Sequence, residues 1–176
     1  MASDGRAVSG VRWTRLQLAA GAALTGASTW AVVGLREDHV AAALAAGGAG
    51  FLLAGGLSAH RGGTRAERIA DGVLDRCFDG AVLGSIAWTA RVVDPAVAAG
   101  ALVALCASFL SSYVRARGAA LGYDVQEGVV TRTLRVALIV LGLALGWLWW
   151  TLWVVAGLCG LAALVRTSQV VKEERA

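Results

Sequence analysis

The sequence contains little of several residue types that soluble proteins use freely. Only 16% of its 176 residues are charged, there is one proline, and Lys172 is the single lysine. Hydrophobic residues make up 57% of the chain, more than the core of a soluble domain of this length can bury. The excess must face lipid, so the composition predicts an integral membrane protein.

Cysteine and histidine are also scarce, with three and two residues. Cys77, Cys106 and Cys159 lie singly among apolar residues, and no spacing typical of a zinc site occurs. We interpret these cysteines as small apolar filler. The formal net charge is +4, but the arginines flank hydrophobic runs, and no basic patch is interleaved with aromatic residues. This pattern argues against nucleic acid as a partner.

Long uncharged runs predict an all-α bundle. Runs at 16–35, 39–60 and 95–114 each have roughly the 20 residues that a membrane-spanning helix needs. The run at 136–165 would extend about 45 Å as one helix, too long for a hydrocarbon core of about 30 Å. Gly146 and the tryptophans around it suit a turn at a membrane interface, which divides this run. The six predicted helices lie at 14–35, 39–59, 71–92, 96–118, 128–146 and 148–170.

The distribution of positive charge predicts the orientation of this single transmembrane domain. With the N-terminus in the cytoplasm, fourteen of the sixteen lysines and arginines fall on the cytoplasmic side, and only Arg36 and Arg91 fall outside. Such an asymmetry follows the positive-inside rule. The bias towards Ala, Gly, Val and Arg also suggests a bacterial genome. We therefore expect a six-helix protein of the bacterial inner membrane, with both termini in the cytoplasm.

Three carboxylates interrupt the apolar pattern in the stretch DGVLDRCFDG. Asp71, Asp75 and Asp79 recur every four residues, so they form one narrow stripe on the predicted third helix. The helix dipole favours an Asp near a helix start, which explains Asp71 but not Asp79, two turns into the span. Stacked carboxylates are tolerated when arginine or a divalent cation neutralises them, and Asp oxygens suit Mg²⁺, Mn²⁺ or Ca²⁺. The stripe therefore indicates a functional site inside the membrane, facing the cytoplasm.

Two separated blocks of the sequence resemble one protein family. VLDRCFDGAVLGSIAW resembles the third-helix segment of the CDP-alcohol phosphatidyltransferases, six-helix enzymes of phospholipid biosynthesis with the signature D-x2-D-G-x2-A-R-x8-G-x3-D-x3-D. SSYVRARGAALG, followed by GVVTRTLR, resembles a later region of the actinobacterial phosphatidylinositol-phosphate synthases in that family. The resemblance covers roughly residues 50–135. It implies the six-helix bundle of the family.

The resemblance also implies an activity and a metal site. Enzymes of this family transfer a phosphatidyl group from a CDP-lipid, such as CDP-diacylglycerol, to an alcohol or a phosphorylated alcohol with the help of Mg²⁺ or Mn²⁺. By that resemblance Asp79 is the catalytic base and, with Asp75, a metal ligand. Asp71 takes the place of the family's glycine and adds a third possible ligand.

Several arginines acquire roles through the same resemblance. Arg61 is the arginine retained from the signature and would contact the nucleotide. Arg115, Arg117 and Arg132 would bind the phosphate of an acceptor such as inositol phosphate, since guanidinium groups offer bidentate donors to phosphate oxygens. Anchoring of the helix ends under the positive-inside rule is an equally open interpretation of these residues.

The first half of the family signature is replaced in this chain. Leu53 and Gly56 stand where the signature has two metal-binding aspartates, and neither Asp nor Glu occurs anywhere in 39–66. Three interpretations follow. The chain is a divergent enzyme with an incomplete metal site, or it is an inactive homologue that serves as a partner or binding subunit. In the third interpretation, the chain is a small helical membrane protein whose polar face only packs against other helices. The family resemblance implies a homodimer, or a heterodimer with an intact relative.

Overall fold

The computed structural model describes residues 65–123 and 132–174, together with 16–17, 19–21, 23–28, 31, 48 and 50. The elements of the two long described ranges are all helices: α1 (Arg65–Val93), α2 (Pro95–Ala120), α3 (Arg132–Leu145) and α4 (Leu148–Glu174). The all-α prediction is confirmed for this part of the chain. The predicted spans at 14–35 and 39–59 fall largely outside the described residues, so the count of six helices and the cytoplasmic position of the termini stay predictions.

Helix α1 begins earlier than the sequence predicts. The expected start was residue 71, whereas the helix begins at Arg65 and continues to Val93. The intervening RAERIA contains no glycine or proline and is built of good helix-forming residues, so the polar approach to the span continues the same helix. The carboxylates at Asp75 and Asp79 therefore lie in the middle of a 29-residue helix rather than at its first turn.

Capping residues explain where helix α2 begins and ends. Asp94 is the N-cap, with its Oδ1 accepting hydrogen bonds from the backbone N–H groups of Ala96 (3.2 Å) and Val97 (3.1 Å), and Pro95 occupies the first helical position. The helix was expected to stop at Gly118, but it continues to Ala120. Gly122, with a φ of +90°, takes the left-handed conformation that ends it.

The turn predicted within the tryptophan-rich stretch is present. Helix α3 ends at Leu145 and α4 begins at Leu148. Gly146 has a φ of +70°, and the N–H of Trp147 donates to the carbonyl of Gly142 at 3.0 Å. A glycine in this position terminates a helix without the steric cost that a Cβ would add.

The chain divides into two compact units, Met1–Val82 and Leu83–Ala176. In the first unit, residues 23–28 are helical and the Thr25 hydroxyl donates to the Gly21 carbonyl at 2.8 Å. A Cβ placed on Gly48 would lie 3.2 Å from that same carbonyl oxygen, so the backbone at Gly48 packs directly against this helix. Small residues at such crossings are typical of helices that associate in lipid.

In the second unit, α4 packs against both α2 and α3. The face of α2 towards α4 is made of small residues, with Gly100, Ala101, Ala104 and Ser108 all buried. Arg166 of α4 is buried as well, and its Nη1 donates to the backbone carbonyl of Ser111 at 3.0 Å and to the Ser111 hydroxyl. The pair joins α2 and α4 by a charge-assisted contact.

The opposite faces of α2 and α4 are apolar and exposed. They carry Leu102, Val103, Phe109, Leu110, Val154, Leu161, Leu164 and Val165. Pro95–Ala120 and Leu148–Lys172 are long and apolar enough to cross a membrane, and Thr133–Leu145 is a shorter apolar helix. Since apolar area of this size is unfavourable in water, these faces suit contact with lipid. The two helices support the prediction of a membrane protein.

The close approach of α3 and α4 at Gly142 leads to a test of packing. A Cβ on Gly142 would lie 2.7 Å from the Oγ1 and 2.8 Å from the Cβ of Thr151. Because Thr is β-branched and stiff, we expect Gly142→Ala to lower the free energy of unfolding by about 1–3 kcal/mol. Thermal unfolding in detergent measures the effect. Gly157→Ala, at a helical site with nothing within 4 Å, should be neutral or slightly stabilising; equal destabilisation by both variants would contradict the packing argument.

A second test concerns the joint between α2 and α4. Ser111→Ala removes the hydroxyl that binds Arg166, so we expect a loss of about 1.5–3 kcal/mol, the range for hydrogen bonds to charged groups. Ser168→Ala is the control, because that exposed hydroxyl donates only within its own helix, to Val165. Denaturation in mixed micelles compares the two. A Ser111→Ala variant as stable as the control would show that the contact contributes little.

Candidate active site

Two of the three predicted carboxylates lie on one buried stripe of α1. Asp79 has no exposed surface and Asp75 is 8% exposed. Their neighbours at helical spacing on the same stripe are apolar and buried: Phe78, Val82, Leu83 and Ile86. The side chain of Asp71 lies outside the described part of the structure, and its backbone belongs to α1. A carboxylate in such surroundings needs a cationic partner, because burial of an uncompensated charge costs several kcal/mol.

Arg76 supplies that partner for both carboxylates. Its Nη1 lies 3.3 Å from the Oδ2 of Asp79, and its Nη2 forms an ion pair with the Oδ2 of Asp75. The side chain of Arg76 is 25% exposed, whereas that of Asp79 is completely enclosed. One guanidinium, with its fixed fork of donors, therefore bridges two acidic side chains on one helix face. The sequence analysis counted Arg76 only among the cytoplasmic charges of the positive-inside rule, although the D-R-x-x-D spacing already placed it between the two acids.

The donor set suits one divalent cation in part. Asp75 and Asp79 offer carboxylate oxygens of the kind that Mg²⁺ and Mn²⁺ prefer, and Mg²⁺ often uses only one or two carboxylates together with substrate phosphates. No group of three or more His, Cys, Asp or Glu side chains with metal-site geometry occurs among the side chains that the structure describes. Leu53 and Gly56, which stand where the family signature has two aspartates, lie outside those residues.

The predicted phosphate-binding arginines are distributed over several parts of the chain. Arg115 and Arg117 are exposed in the last two turns of α2. Arg132 is the first residue of α3, and its side chain is not among those described. Arg61 also lies outside the described residues. Arg115 and Arg117 are two residues apart and therefore point to different sides of the helix.

Two further arginines are buried, which the sequence interpretation did not anticipate. Arg135 is 6% exposed and Arg166 is 7% exposed. Both were expected only to mark the cytoplasmic ends of their helices. The positive-inside rule describes where an arginine lies along the membrane normal, and it contains no information about which face of the helix carries it.

Comparisons with known proteins agree with the family resemblance that the two sequence blocks carry. No family model matches the chain. The phosphatidylinositol phosphate synthase of Corynebacterium glutamicum is 39% identical over 87 residues, which cover 48% of this chain and 40% of that protein. The enzyme of the same name from Mycolicibacterium smegmatis is 31% identical over 121 residues, covering 65% of this chain and 54% of the relative. The matched part is thus about half the length of these curated relatives.

A solved structure has a similar fold. It is the crystal structure of Mycobacterium tuberculosis phosphatidylinositol phosphate synthase with CDP-DAG bound, with a TM-score of 0.78 over 89% of this chain and 85% of that chain. Because the sequence identity is only 22%, this similarity shows a shared fold and not a shared function. The chain is thus similar in sequence to phosphatidylinositol phosphate synthases over part of their length and shares the fold of one of them, which supports the resemblance of its motifs to the CDP-alcohol phosphatidyltransferase family.

Proposed function

We propose that the chain is a membrane enzyme of phospholipid biosynthesis that transfers a phosphatidyl group from a CDP-lipid to an alcohol or a phosphorylated alcohol. The observation that carries the proposal is the pair of buried carboxylates, Asp75 and Asp79, in the α1 segment that resembles the family motif. The names of the sequence relatives support this substrate class, and the CDP-DAG in the structurally similar synthase supports CDP-diacylglycerol as the donor.

Asp79 is the catalytic base in this proposal. It accepts the proton of the acceptor hydroxyl, whose oxygen forms a bond to the phosphorus that carries the diacylglycerol. The bond from that phosphorus to the bridging oxygen breaks, and CMP leaves with the electron pair. The apolar residues around Asp79 exclude water, which strengthens its interaction with the hydroxyl and keeps water from competing as the acceptor.

The remaining polar residues neutralise negative charge. Mg²⁺ or Mn²⁺ would be held by Asp75 and Asp79, with Asp71 as a further ligand, and would stabilise the charge that develops on the pyrophosphate. Arg61 would contact the nucleotide. Arg115, Arg117 and Arg132 would bind the acceptor phosphate, supported by the exposure of Arg115 and Arg117 at one end of α2.

We propose that the protein lies in the bacterial inner membrane with its polar site towards the cytoplasm. The apolar helices α2 and α4 and the charge asymmetry of the chain support this orientation. The functional unit is a homodimer, or a heterodimer with a relative that has the intact signature.

Replacement of the proposed base tests the activity. We expect Asp79→Asn to lower the rate of CMP release from CDP-diacylglycerol by about 10²–10⁴-fold, the usual contribution of a general base. The assay compares purified protein with and without Mn²⁺, with inositol phosphate as acceptor. The control is Asp94→Asn, because Asn caps a helix as well as Asp does and Asp94 is the N-cap of α2. If the wild-type protein releases no CMP with any acceptor, the enzymatic proposal is wrong.

An inactive partner subunit is the second candidate function. The observation that favours it is the loss of both signature aspartates at Leu53 and Gly56, with no other acidic residue in 39–66. An Arg76 already paired with Asp75 and Asp79 would suit a protein that keeps the fold without the full complement of metal. Such a subunit would bind an intact relative or another membrane enzyme.

Restoring the signature separates these two functions. In an enzyme with an incomplete site, Leu53→Asp combined with Gly56→Asp should raise Mn²⁺-dependent CMP release at least about tenfold, because two further carboxylates complete the metal ligands. In an inactive subunit, the double variant stays without activity while co-purification from native membranes recovers a partner synthase. Recovery of this chain alone, together with activity of the wild type, would exclude the subunit hypothesis.

A further inference from the structure

We infer that Arg76 is a built-in counter-cation that competes with a divalent metal ion for the carboxylates of Asp75 and Asp79. The inference rests on the proposed function, because it concerns the same pair of carboxylates. It assigns a regulatory role to a residue that the family signature leaves unspecified. In this role, Arg76 lowers the affinity of the two carboxylates for a metal ion.

The geometry places Arg76 on the oxygens that a metal ion would use. Both ion pairs involve Oδ2 atoms, one on Asp75 and one on Asp79, and both are made by terminal nitrogens of the same guanidinium. A cation that bridges two carboxylates four residues apart on a helix must occupy the space between them. The guanidinium already occupies that space, so a divalent ion and Arg76 exclude each other there.

The charges explain why the competition matters. Two carboxylates contribute a charge of −2, and Arg76 reduces it to −1 before any metal binds. In a site with four aspartates, one arginine would offset a quarter of the acidic charge, whereas at the Asp75–Asp79 pair it offsets half. The replacements at Leu53 and Gly56 therefore increase the influence of Arg76 on this pair.

The exposure of the three side chains is unequal. Asp79 is fully enclosed and the side chain of Asp75 is only 12% exposed, so neither carboxylate can turn into solvent without a change in packing. Arg76 retains 25% exposure, and its long side chain can rotate its charged end outwards while its stem stays against the helix. Metal binding thus requires Arg76 to move away, and loss of metal lets it return and offset half of the charge of the two acids.

The decisive experiment measures Mn²⁺ binding to the purified full chain by calorimetry, without any CDP-lipid. We expect Arg76→Gln to tighten the dissociation constant about tenfold, since a unit charge within about 4–6 Å changes the affinity of a carboxylate for a proton by at least that factor. Arg76→Lys should give a smaller tightening, because a single ammonium cannot bridge both carboxylates with a fixed fork. The control is Arg91→Gln, which removes an arginine of the same helix that does not pair with the carboxylates. The Arg91 guanidinium lies over the ring of Trp88 and donates to the Trp88 carbonyl.

Thermal unfolding gives a second readout, because the substitution that tightens Mn²⁺ binding should at the same time lower stability. Without metal, Arg76→Gln should unfold at a lower temperature than the wild type, because Asp79 loses a cationic partner, and saturating Mn²⁺ should reduce that difference. A side chain with a merely structural role would lower stability without improving metal binding. If Arg76→Gln cannot be purified, the smaller effect of Arg76→Lys on the Mn²⁺ dissociation constant decides.

The outcomes separate this inference from the proposed function. Unchanged or weaker Mn²⁺ binding in the Arg76 variants, or no binding to either wild type or variants, overturns the inference even if CMP release is observed. Tighter Mn²⁺ binding in Arg76→Gln without any CMP release supports the inference and rejects the enzymatic proposal.

Discussion

Burial of the Asp79 carboxylate is the constraint on which the candidate site depends. The side chain is fully enclosed on a stripe of apolar residues, where an uncompensated charge would cost several kcal/mol. Arg76 offsets that cost by bridging Asp79 and Asp75 from the same helix. Since all three residues are on α1, the ion pairs need no other element to form. The local sequence D-R-x-x-D is thereby both the acidic motif and its own counter-charge.

The second unit meets the demands of an apolar environment by different means. Lipid provides little hydrophobic driving force between helices, so close backbone approach and polar contacts become more important. Small residues on α2 allow α4 to approach closely, and the buried Arg166 binds Ser111 across the two helices. Large apolar side chains cover the outward faces instead. Among the described residues, Ser111 and Arg166 show how buried polar groups on two helices serve as partners for each other.

Much of the helical organisation was predictable because it rests on local chemistry. Asp94 followed by Pro95 is a helix start whose hydrogen bonds involve only the next three residues, and Gly146 in a tryptophan-rich run is a turn signal. The errors are also local in origin. Gly118 was expected to end α2, yet a glycine is compatible with helical dihedrals, and only the left-handed φ of Gly122 stops the helix. The start of α1 at Arg65 was not predicted, because a membrane span assigned from hydropathy excludes the charged residues that precede it.

The sequence by itself determined the membrane character, the all-α class, the acidic stripe and its family resemblance, since composition and four-residue spacing are visible without coordinates. Tertiary structure alone decided which polar groups are enclosed. Asp79, Arg135 and Arg166 are buried while Arg115 and Arg117 are exposed, although all five lie at or beside apolar runs in the sequence. The rotamer of Arg76 that joins two carboxylates is likewise a choice among several. Burial depends on which helix face meets a neighbour, and residues distant in the chain provide that neighbour.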